Sequence, residues 1–101
     1  GITGAISSSV QVANAAKAWA STSGKTSFTQ MTEHYAKHVI KEGQKSVAKN
    51  IVNYTKQAKM FFVNNQTSGY LLREGVIKIA GAPGGIFNAN GLIRSFWYVL
   101  L

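Results

Sequence analysis

The chain contains no cysteine and no aspartate, only three glutamates (Glu33, Glu42 and Glu74) and a single proline. Without cysteine there is no disulfide framework, no thiolate nucleophile and no Cys-bearing zinc site, and the redox compartment stays open. Three scattered carboxylates are too few for a two-metal nuclease, which gathers Asp and Glu around its cations, and too few for a calcium site. The lack of Asp removes a Ser-His-Asp triad, and no G-x-S-x-G elbow suggests a Glu variant. No apolar run reaches the ~20 residues a spanning helix needs, so a soluble protein without stable membrane insertion is expected. The opening Gly1-Ile2-Thr3-Gly4 lacks the charged and apolar regions of a signal peptide. The chain therefore reads as a domain cut from a longer protein.

What is present is a basic chain of 101 residues, 46% hydrophobic, with eleven Lys and Arg and a formal net charge of +8. That length fits one domain with a modest core. The charge favours phosphate-rich partners, anionic membrane or an acidic protein. Both histidines fall one helical turn apart, in Glu33-His34-Tyr35-Ala36-Lys37-His38. They are the side chains whose unperturbed pKa lies near neutrality, and hence the natural proton carriers.

Hydrophobic periodicity divides the chain into a helical part, about 5–63, and a sheet part, about 70–101. Residues from about Ala5 to Ala20 space Ile6, Val10, Ala13 and Trp19 loosely as on a helix. Ser27 and Gln30 form a capping box, and Phe28, Met31, Tyr35 and Val39 then recur at helical spacing until Glu42-Gly43. At 100° per residue His38 falls in the middle of that stripe and His34 at its margin, with Lys37 and Lys41 beyond. His38 is predicted to point inward. A third helix, roughly Lys45 to Val63, puts Val47, Ile51, Tyr54, Ala58 and Phe61 on one side and Lys45, Lys49 and Lys56 on the other. Tyr70 to Arg73 and Val76 to Ala80 flank a turn at Glu74-Gly75, and Gly81 to Gly85 reads as a mobile loop. Ile86 to Ala89 and Leu92 to Leu100 flank Asn90-Gly91, a type I′ hairpin signal. Helices first and strands second predict an α+β domain, with N-terminal helices packed on a twisted antiparallel sheet of about four strands.

Several chemistries fail on spacing. Gly24-Lys25-Thr26 matches the end of a phosphate-binding loop, but Trp19 stands where its first glycine belongs and no strand precedes it. An i, i+4 His pair can grip zinc, yet a third protein ligand is hard to supply here. The H-E-x-x-H signature fails because Tyr35 occupies the Glu position. Ribonucleolytic transesterification fits better, with neither metal nor cofactor. RNA brings its own nucleophile in the 2′-hydroxyl, so an enzyme needs a base, an acid, and cations for the developing phosphorane charge.

The last strand offers a second cluster, Arg94-Ser95-Phe96-Trp97-Tyr98. Strict alternation groups Leu92, Arg94, Phe96 and Tyr98 on one face, and Ile93, Ser95, Trp97 and Val99 on the other, which is the better face for packing on helices. That leaves Arg94, Phe96 and Tyr98, with Lys78, as a basic and aromatic surface for phosphate and base. A bulge near Ser95 would re-aim its hydroxyl.

Lys37-His38, Tyr54, Ala58, Phe61-Phe62 and Gly91-Leu92-Ile93-Arg94-Ser95-Phe96 together resemble the C-terminal toxin domains of contact-dependent inhibition and related polymorphic toxin systems. The nearest subgroup is the ribonucleases of the barnase, EndoU, colicin and RelE type of fold, over roughly residues 28–98. The resemblance implies a metal-independent ribonuclease, often a tRNase, with its active site on the open side of the sheet. It implies export as the tip of a large cell-surface or secreted protein, action in the target-cell cytoplasm, a cognate immunity protein, and in some cases a host cofactor protein such as an elongation factor. An acidic immunity partner would suit the +8 charge. By position, His38 would be the main acid/base and Arg94 the phosphate clamp, while Ser95 stands where such domains commonly have Thr. A pancreatic-ribonuclease-like toxin, also with a Lys/Arg-His pair on a helix, is the alternative fold within the same function. The expected catalytic set is His38, His34, Lys37, Arg94, Ser95 and Tyr98, with Lys78, Arg73, Lys41 and Phe96 contacting substrate. The rival readings are a non-enzymatic basic module that binds nucleic acid or membrane and, last, a membrane-permeabilising bacteriocin.

Overall fold

The computed structural model describes residues 2–100, with side chains described for residues 9–100. Three helices precede a four-stranded antiparallel sheet, as the order of periodicities predicts. Helix α1 spans Ile2–Ala16, α2 Ser27–Tyr35 and α3 Ile51–Asn65. A wide π turn, Ala36–Lys41, continues α2 directly, and Gly43 ends the segment at a positive φ of 71°. The cap of α2 is Thr26 rather than Ser27: its hydroxyl accepts from the Thr29 amide at 3.1 Å, satisfying a free donor of the first turn. Likewise α3 begins six residues later than the periodicity suggests. Asn50 caps it by accepting from the Asn53 amide at 2.8 Å, and Val47 stays exposed ahead of it.

Strands β1 (Tyr70–Leu71), β2 (Val76–Ile79), β3 (Gly84–Asn88) and β4 (Ile93–Trp97) lie in chain order across the sheet. Glu74 and Gly75 both take positive φ in the first hairpin turn. At Asn90-Gly91 only Gly91 does, at 92°, and the Gly91 amide bonds the Asn88 carbonyl. The loop is therefore the three-residue kind, a turn closed by a left-handed glycine, rather than type I′. Gly84 and Gly85 belong to β3 and not to a mobile loop; both are buried. A Cβ on Gly84 would sit 2.7 Å from the Trp97 ring, so only glycine lets that indole lie against the strand.

Residues directly opposite one another on paired strands share a face. Leu71, Ile77, Phe87 and Ile93 form one such row, and Ile79, Gly85 and Phe96 another, both turned toward the helices. There Phe87 meets Phe61 and Phe62 of α3, and Phe96 meets Tyr54 and Phe61. The α3 stripe of Tyr54, Ala58 and Phe62 is buried in this layer. From α1, Ala16 joins the core with Val12 and Ala15 against it, whereas Val10 and Ala13 face outward; the side chain of Ile6 lies outside the described residues. Beyond α1 the chain pairs with the free edge of β4: the Ala20 amide bonds the Ile93 carbonyl and the Ile93 amide bonds the Ala18 carbonyl. That contact seats the buried Trp19 beneath α2.

Candidate active site

The site begins with a slip in register. Ile86 pairs with Ser95 while the next residue, Phe87, pairs with Ile93, so Arg94 is an extra residue on β4. Such a bulge reverses the alternation that follows it. Phe96 therefore turns to the helices, although strict alternation assigns it to the surface with Arg94. Its ring is buried, and Tyr98 packs beside it against Tyr54. The Tyr98 hydroxyl donates to the Gln57 side chain at 2.6 Å, and burial pushes its pKa up to about 12. Phe96 and Tyr98 thus stand with the core and apart from the other candidates.

The opposite face carries Tyr70, Lys78, Ile86 and Ser95 in one row, and Gly84 with Trp97 in another. Arg94 joins them, its guanidinium donating to Asn88 at 3.1 Å, and Asn88 pairs with Val76 on this face. Lys78, Ile86, Asn88 and Arg94 are half-buried, so this face remains partly open to solvent. The rim beside β4 is made by α2. His34 Nδ1 lies 3.4 Å from the Ser95 hydroxyl, and the His38 ring tilts against Trp97 with centroids 6.3 Å apart.

The two histidines do not sit as independent side chains. His34 stacks on Trp19 at 5.7 Å and on His38 at 5.6 Å, and Trp19 in turn stacks on Tyr54. A continuous column of rings runs from the core, through both histidines, to Trp97. Its inner end is fixed by the Trp19 indole donating to Thr55 at 3.0 Å, and its outer end by the Trp97 indole donating to the Gly81 carbonyl at 2.7 Å. Burial, with smaller contributions from neighbouring His38 and Lys37, pushes His34 down to about 4. The ring of His34 is accordingly neutral at neutral pH.

His38 is 7% exposed and donates from Nδ1 to Glu42 at 3.2 Å, and the Glu42 side chain is equally buried. A carboxylate oxygen can only accept, so Nδ1 carries the proton and Nε2 is the nitrogen left to exchange one. Glu42 reads in the sequence as a helix stop. Its position four residues after His38 on one helix is the signal that identifies it as a partner. Trp19 and Trp97 are the other members missed: Trp19 arrives through the edge pairing of β4, and strict alternation assigns Trp97, with Ser95, to the helix side, from which the bulge turns both away.

His38 lines a cavity of about 190 Å³ with Lys37, Glu42, Trp97, Val99 and Leu100. Lys37, Glu42 and Val99 also line a larger cleft of about 660 Å³ that includes Lys41 and Glu33. Lys37 is therefore brought to His38, and Lys41 shares the larger cleft with Lys37 and Glu42. Arg73 stands apart: it sits exposed in the turn between β1 and β2, at the far edge of the sheet. Among the described residues Lys25 is the lysine held by a salt bridge, to Glu33 at 2.6 Å. Also among these residues, no group of three or more His and Glu side chains converges to hold a metal ion, and no helix is long and apolar enough to cross a membrane.

The arrangement offers one carboxylate-held imidazole, one neutral imidazole beside a hydroxyl, and flanking cations. That inventory can accept a proton, return one and stabilise an anionic phosphorus centre. Comparison with family models, curated proteins and solved structures finds no match to this chain.

Proposed function

We propose that this domain is a metal-independent ribonuclease toxin, directed at RNA and most naturally at tRNA, that uses the substrate's own 2′-hydroxyl as nucleophile. A base takes the 2′-hydroxyl proton, the 2′-oxygen bonds to phosphorus, the bond from phosphorus to the 5′-oxygen breaks, and an acid protonates that oxygen. The products are a 2′,3′-cyclic phosphate and a 5′-hydroxyl. His38 is the main proton carrier, through Nε2. His34 or Lys37 serves the complementary transfer, and Arg94, Lys78 and the Ser95 hydroxyl stabilise the phosphorane.

The observation that carries this reading is the buried His38–Glu42 pair, 3.2 Å apart, in a cleft with Lys37 and stacked on His34. Burying an imidazole and a carboxylate together is costly unless each satisfies the other. In a chain of three glutamates, one is spent on fixing a histidine. Delivery into a competitor's cytoplasm as part of an exported protein and neutralisation by an acidic immunity protein belong to the same proposal, and the +8 charge favours the acidic partner.

The test compares RNA cleavage by the wild type, His38→Ala and His34→Ala. Loss of the essential histidine is expected to slow cleavage by ~10²–10⁴-fold with the fold retained. Full activity in both variants overturns the mechanism. RNA retardation without strand scission, lowered as much by lysine changes as by histidine changes, supports the non-enzymatic basic module instead.

A further inference from the structure

We propose that the open sheet face holds a single RNA strand running across the β-strands, and that Tyr70 on β1 stacks a base remote from the scissile phosphate. The inference rests on the ribonuclease reading and names the form of its substrate. Tyr70, Lys78, Ile86 and Ser95 are opposite one another on successive strands, so they form one row from the far edge of the sheet to the hydroxyl beside His34. Tyr70 is 51% exposed, although a large aromatic on a sheet gains by burial. Lys78, its direct neighbour in the row, supplies a cation between Tyr70 and Ser95.

Three strand spacings separate Ser95 from Tyr70, about 14 Å. A base at the cut cannot span that distance, since a stacked strand advances about 3.4 Å per nucleotide. Tyr70 therefore contacts a base several nucleotides away, with an intervening phosphate facing Lys78. An exposed ring beside a cation is the combination that holds single-stranded nucleic acid without a demand for sequence, because every base has a π-face. A duplex would hide those faces in its stack, so the occupant is a single strand or a loop. The charge suits this occupant: the row carries Lys78 and no carboxylate, and Arg94 stands on the same face beside Asn88.

The test measures binding of a non-cleavable single-stranded hexanucleotide, 2′-O-methylated throughout, and cleavage of RNA dinucleotide and hexanucleotide substrates. Tyr70→Ala should weaken hexanucleotide binding by about 5- to 100-fold. Tyr70→Phe should retain it, and dinucleotide cleavage should be unchanged in both variants. Cleavage by the wild type with hexanucleotide binding indifferent to Tyr70→Ala overturns the subsite and leaves the ribonuclease reading standing. Tyr70-dependent binding without cleavage by the wild type does the reverse. Self-association of the wild type that Tyr70→Ala abolishes, with no oligonucleotide bound, assigns the face to a second copy of the chain and overturns the inference.

Discussion

The two faces of the sheet are cut from alternate residues of the same strands, and they have opposite chemistry. The helix side of Ile77, Ile79, Phe87, Ile93 and Phe96 is packed against the aromatic residues of α3, whereas the far side carries Lys78, Asn88, Arg94, Ser95 and Trp97. One inserted residue, Arg94, keeps both sets intact: it lets Ile93 and Phe96 both reach the core and leaves Arg94 and Ser95 together on the other side. The bulge thus trades one backbone pairing for a strand that packs and presents functional groups at once. The face that stabilises and the face proposed to react should be separable by mutation.

The largest expected effect lies on the packed face. Phe87 is fully buried between Phe61 and Phe62, so Phe87→Ala should cost about 3–5 kcal/mol in denaturant unfolding, out of a total of about 5–15 kcal/mol for a domain. Activity per folded molecule should hold. Arg94→Ala should do the opposite, lowering RNA cleavage by about 10²–10³-fold while the unfolding midpoint barely moves, because its side chain is half-exposed and, among the described residues, bonds Asn88 alone. Equal loss of stability and activity in either variant would break the division between the faces.

Gly84→Ala probes the contact between them. The added methyl would press on the Trp97 ring, costing about 1–3 kcal/mol and displacing the indole that ends the ring column, so stability and cleavage should fall together.

A pH dependence isolates the histidine rim. His34 is held near 4 in the folded protein against an ordinary histidine value of 6.5, so between those pH values the unfolded chain binds more protons. Stability should therefore decline as pH falls from about 6.5 toward 4, and level off below. His34→Gln should flatten that part of a melting-temperature series; an unchanged slope would remove His34 as its source.

Local signals made much of the molecule legible. The α2 stripe, the inward turn of His38 and the two hairpins follow from spacing and turn residues, which depend only on neighbours in the chain. What escaped depends on distant partners. The bulge at Arg94 is a relation between β3 and β4, and no pattern within β4 reveals that Phe96 must meet Tyr54 and Phe61. The same holds for Trp19, which is placed by residues 18–20 pairing with Ile93. Of the expected site, His34, His38, Lys37 and Ser95 gather at the rim beside β4, with Lys41 in the cleft next to Lys37 and with Arg94 and Lys78 on the adjoining face. Arg73 stays apart because the first hairpin lies at the far edge of the sheet. Phe96 and Tyr98 stay apart because the bulge turned them inward.

The proposed role of the open face and its histidine rim is to cleave RNA through the 2′-hydroxyl without a metal. Its most direct test is incubation of the purified domain with total RNA in excess EDTA, followed by chemical mapping of the new ends. Discrete cleavage leaving 2′,3′-cyclic phosphate and 5′-hydroxyl termini is expected. Intact RNA, or cleavage that appears only when a divalent cation is restored and leaves 3′-hydroxyl ends, would contradict it.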